Sequence, residues 1–156
     1  MENKQIKNGF PVGMILILIL VGLPAVMTLF SVFKSPLSQL GPLLLSGVGA
    51  VVVNLVIFVI LSTIFYGILK RMMWARKMAI GWYIVSMLLI VVNMVSLLGN
   101  KMMYDSFYKE TLTPEMYSLM TPELITASLM FSSGGALLIG IIVIIYLVRK
   151  KDFFVN

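Results

Sequence analysis

The sequence predicts an all-α integral membrane protein: four transmembrane helices in an antiparallel bundle, with both termini cytoplasmic. Three observations lead there. The chain of 156 residues is 60% hydrophobic, with a mean hydropathy of +1.05. Its charges, 12% of residues, are about half the usual share and fall in clusters. Between the clusters lie four uncharged intervals, 8–33, 35–69, 78–100 and 124–148. A hydrocarbon core of about 30 Å needs about 20 apolar residues as helix, so each interval is long enough for one crossing.

The first helix is expected over 10–33, with Pro24 near its middle as a source of bending because proline has no N–H to donate. Lys4 and Lys7 precede it in the manner of a secretory leader. Its apolar run exceeds the roughly 7–15 residues of a signal core, and small-x-small cleavage signals are poor, so the segment is expected to be retained. The next interval opens with the turn-like SPLSQLGP, whose prolines and glycine do not fit one helix interior. The second helix is therefore expected over 43–69, with Pro42 suited to its first turn. The third is expected over 76–98 and the fourth over 122–148.

The extracytoplasmic loop, 99–121, repeats one signal: Thr113-Pro114-Glu115 and Thr121-Pro122-Glu123. In each, threonine caps, proline takes the first helical position and glutamate meets the positive end of the dipole. The first is expected to start a short interfacial helix over 115–120, and the second the fourth span.

Orientation follows from the basic residues. Nine of the twelve lie in the N-terminus, the second loop and the C-terminus, against three in the first and third loops. The positive-inside tendency then puts both termini and the second loop in the cytoplasm. That loop, LKRMMWARKMAIGW, concentrates Lys70, Arg71, Trp74, Arg76 and Lys77. Such a cluster fixes topology, and it also suits an anchor on anionic lipid, where each basic residue contributes about 1 kcal/mol. Orientation accounts for the net charge of +6, so nucleic acid is not an expected partner.

Apart from Arg76, Lys77 and Glu123 at the very ends of the third and fourth spans, no Asp, Glu, Lys or Arg lies inside a span, and the chain has no Cys or His. Intramembrane charge is the usual mark of proton coupling or charged-substrate transport. No serine has a histidine to activate it and no phosphate-loop glycine pattern occurs. Neither an enzyme nor a cofactor or metal is expected. Neutral polarity remains: Thr28, Asn54, Asn93, Ser132 and Ser133 fall in one layer, roughly 3 to 9 Å outside the midplane at 1.5 Å per residue. Small residues recur along the same helices, with Ser46 and Ala50 leading to Asn54, Ser86 to Asn93, and Ala136 and Gly140 following Ser132. Such stripes let helices approach and hydrogen-bond.

The leading expectation is a non-enzymatic accessory, assembly or immunity-type subunit acting through helix contacts. Its partners would be the lipid bilayer and further copies or a larger membrane complex. The alternative is a small transporter or channel component using the polar layer as a cavity.

Overall fold

The computed structural model describes residues 9–33, 37–111, 113, 115–116 and 121–154. It is mostly helical, and four of its helices are long and apolar enough to cross a membrane. They are α1 (Val12–Phe33), α2 (Gly47–Leu69), α3 (Met73–Gly99) and α5 (Pro122–Arg149). A further helix, α4 (Lys101–Thr111), precedes α5, and a 3-10 turn over Lys151–Phe153 follows it.

The largest departure from the expected elements lies between α1 and α2. Leu37–Leu40 (β1) and Leu43–Ser46 (β2) form an antiparallel hairpin, with Leu40 paired to Leu43 across a two-residue turn. Residues 43–46, expected to begin the second helix, are therefore a strand, and Pro42 sits in the turn. Gly41 takes φ 60°, the left-handed backbone that a tight two-residue hairpin needs and that glycine adopts without steric cost. Gly47, also left-handed at φ 58°, redirects the chain from β2 into α2. Ser46 stands at the helix start without a side-chain cap bond.

At the other end of α2 the chain reverses in three residues. The Arg71 N–H donates to the Ile68 carbonyl at 3.0 Å and the Met72 N–H to the Gly67 carbonyl at 2.9 Å. This pair of bonds is a Schellman closure, which satisfies carbonyls that the helix end would leave unpaired. Gly67 lets the start of α3 pack closely on this end of α2: a Cβ there would overlap the side chains of Ala75 and Trp74.

α1 packs chiefly on α2, α3 on α5, and α2 on α3. The buried core gathers toward the α2–α3 turn. Met14, Ile17 and Val21 of α1 meet Leu61, Ile64 and Ile68 of α2, Ala75 and Ala79 of α3, and Val143 and Leu147 of α5. Toward the hairpin the helices are mostly exposed; in a bilayer, apolar surface of this kind faces lipid or another helix.

The two Thr-Pro-Glu signals are realised as caps where they are described. Thr121 Oγ1 accepts from the Leu124 N–H at 3.3 Å at the start of α5, and Thr113 Oγ1 accepts from the Met116 N–H at 3.3 Å. Residues 117–120 of the expected interfacial helix lie outside the described residues. α4 occupies a stretch expected to be loop.

Candidate functional site

The polar layer is held chiefly by contacts within single helices and by the hairpin. Asn93, about 9 Å inside the end of α3 at 1.5 Å per residue, grips the hairpin turn. Its Oδ1 accepts from the Gly41 N–H at 2.7 Å, and its Nδ2 donates to the Gln39 carbonyl at 3.3 Å. Gln39 reciprocates: its Nε2 donates to the Asn93 carbonyl at 3.1 Å and to the Gly41 carbonyl at 3.2 Å. These bonds satisfy turn backbone that neither strand pairing nor helix could. They explain how non-helical chain is accommodated against apolar helices, where unsatisfied backbone costs several kcal/mol as an order of magnitude.

The hydroxyls bond back to their own helices. Thr28 Oγ1 donates to the Pro24 carbonyl at 2.7 Å and Ser132 Oγ to the Leu129 carbonyl at 3.1 Å. Thr63 and Ser128, outside the expected layer, do the same with Val59 and Ile125. Such bonds satisfy a hydroxyl locally without a neighbouring helix. Ser133 is half-buried. Asn54 is the layer's one buried member, 7% exposed. Its side-chain amide has no hydrogen-bond partner among the described residues, and since no fully buried side-chain N or O among them is left unpaired, the amide retains some surface access.

The small residues divide. Ala50 is fully buried, and Gly140 lies under Met87, whose sulfur would crowd a Cβ at 2.9 Å. Ser86 is half-buried, while Ala136 and Ser46 are exposed. Gly13 was not singled out by spacing, yet it admits the Tyr146 ring between α1 and α5.

The basic turn is also more internally engaged than its composition implied. Arg71 lies over two rings, its guanidinium carbon 5.1 Å from the Phe10 centroid and 4.9 Å from that of Phe153. The two rings meet edge-on at 5.2 Å. One cation thus joins the start of α1, the α2–α3 turn and the C-terminal segment. Arg76 Nε donates to the Leu147 carbonyl at 2.9 Å, where a cation stabilises the negative end of α5. Trp74 Nε1 donates to Met72 Sδ at 3.1 Å, and Lys70 Nζ lies 5.9 Å from the Tyr66 centroid. Lys70 and Lys77 are exposed.

Sequence reasoning missed Gln39, Gly41, Phe10 and Phe153. A signal for the first two was present, a Gly-initiated two-residue step between apolar runs. The aromatic partners of Arg71 come from opposite ends of the chain, and nothing local marks them. No protein-family model, curated protein or solved structure matches this chain.

Proposed function

We propose that the chain is a multi-pass protein of the cell membrane, its four long helices crossing in alternating direction as an antiparallel bundle with N- and C-termini in the cytoplasm. Its role is that of a non-enzymatic accessory, assembly or immunity-type subunit acting through helix contacts. The carrying observation is the fate of the polar layer. Thr28 and Ser132 bond their own helices and Asn93 bonds the hairpin, so these groups act as internal fastening. A conduction path instead needs polar groups presented to a passing solute.

A second observation supports contact with other helices. Ala127, Phe131, Gly134, Leu138 and Ile142 form one exposed stripe of α5, with Phe131 86% exposed. A Cβ at Gly134 would meet nothing within 4 Å. A glycine beside large apolar side chains permits close approach of a second helix, of the same chain or of a larger complex.

The alternative, a small transporter or channel component, is favoured by Asn54 alone. Among the described residues no fully buried side-chain N or O lacks a partner, so the unpaired Asn54 amide has an edge at the protein surface, where water or a neutral ligand can satisfy it. Flux separates the readings. The purified chain, reconstituted alone in vesicles, is expected to pass no small neutral solute or monovalent ion above the protein-free level. Saturable flux abolished by Asn54→Leu would replace the accessory reading with the alternative.

A further inference from the structure

We propose that the groove between α1 and α2, with Arg71 at its end, is a binding site for one phospholipid from the leaflet on the side of the α2–α3 turn. The inference rests on the membrane placement above and is independent of the accessory role.

The groove has a volume of about 580 Å³, with Gly22, Ala25 and Ser62 among its lining residues beside the rings of Phe58 and Phe65. Ser62 is the one polar residue lining it. Gly22 keeps it open on the α1 side, because a Cβ there would already press on the Phe65 ring at 3.0 Å.

Its length selects the occupant. On α1 it runs from Ile15 to Val26, about 16 Å at 1.5 Å per residue. That is close to half of a hydrocarbon core of about 30 Å. A partner helix would cross both leaflets, whereas an acyl chain occupies one. On α2 the lining runs only from Phe58 to Phe65, the half nearer the basic turn.

Arg71 supplies the other end of the ligand. It follows Phe65 by less than two helical turns and touches Phe10, just before α1. The Phe10 and Phe153 rings, 5.2 Å apart, lie side by side against the Arg71 guanidinium carbon, so they cover one side of the group and its N–H donors are not sandwiched between them. Among the described residues none of those donors meets a protein acceptor. A fixed guanidinium fork with unengaged donors matches a phosphodiester, which accepts two parallel bonds. Exposed Lys70, next in the chain, adds a second positive charge.

The backbone gives a further reason. Arg71 occupies φ 56°, a conformation at helix ends that usually belongs to glycine. A large cation held there against its backbone preference points to a use for the side chain.

The test uses the full chain in phosphatidylcholine vesicles with a trace of phosphatidylcholine carrying a diazirine midway along one acyl chain. After illumination, adducts are mapped by peptide. The expected result is labelling concentrated in 15–26 and 58–65, with Ser62→Phe, which fills the groove, removing it. Arg71→Gln should lower groove labelling about five-fold, the contribution of one basic residue near a phosphate surface. A diacylglycerol with the same diazirine but no phosphate should label wild type and Arg71→Gln equally. Labelling spread over the exposed faces of all long helices, or equal labelling by the two probes in wild type, would overturn the proposal. So would cross-links between two copies through the groove without lipid adducts. The wild-type comparison of the two probes decides even if a variant fails to fold.

Discussion

Replacing Asn93 by leucine removes the grip on the hairpin while keeping a side chain of similar size in α3. Two side-chain bonds disappear, to the Gly41 N–H at 2.7 Å and to the Gln39 carbonyl at 3.3 Å. Side-chain hydrogen bonds between membrane segments are worth about 0.6 to 1.7 kcal/mol each. The Gly41 N–H would also lose its acceptor where Val92 packs against the turn, and an orphaned buried donor costs about 1–3 kcal/mol. Because these costs overlap, the expected loss is about 2–3 kcal/mol. Unfolding of the variant in mixed micelles gives the global value. Hydrogen exchange at the Gly41 amide gives the local one, and about 2 kcal/mol corresponds to roughly thirty-fold faster exchange. Gln39 should retain its bond to the Asn93 backbone carbonyl, so the hairpin loosens without leaving α3. A variant within about 0.5 kcal/mol of wild type, with the Gly41 amide still protected, would refute the reasoning.

Asn54→Leu is expected to behave oppositely. An amide without a protein partner gains from replacement by an apolar group, so stability should be unchanged or raised by up to about 2 kcal/mol, and a clear loss would reveal a partner. At the turn, Arg71→Gly should be more stable than Arg71→Ala by about 1 kcal/mol, because both lose the two ring contacts but glycine alone relieves the left-handed backbone. Equal thermal midpoints for the two variants would contradict that. For orientation, single cysteines near Trp74 and Phe153 should label only from the cytoplasmic side and one near Glu110 only from outside. Labelling near Trp74 from outside intact cells would reverse the topology.

The long helices were legible because length and uninterrupted hydropathy specify them without tertiary information. The caps at Thr113 and Thr121 were legible for the same local reason: a hydroxyl, a proline and an acid act within one turn. The hairpin was not. Leu43, Leu44 and Leu45 form a short apolar run that reads equally as strand or helix start, and the left-handed Gly41 and Gly47 tip it toward strand. The bonds that hold the turn come from Asn93, 52 residues beyond Gly41. Which small residues meet a neighbour was also hidden. Helices apolar on every side carry no polar face to mark the outward direction, so Ala50 and Gly140, both buried, look in sequence like Ala136, which is exposed. The basic turn showed its charge in sequence but not its engagement, since Phe10 and Phe153 reach Arg71 only through the fold.

Water access to the polar layer tests the central claim, that these groups fasten the chain internally and do not line a path. The chain has no native cysteine, so single cysteines at Ser132 and Ser133 report without background. In vesicles, a small membrane-impermeant thiol reagent should modify both slowly, because Ser132 bonds its own helix and faces the apolar surroundings of α5 while Ser133 is half-buried. Rapid modification of either cysteine, accompanied by solute flux that the modification blocks, would contradict the account.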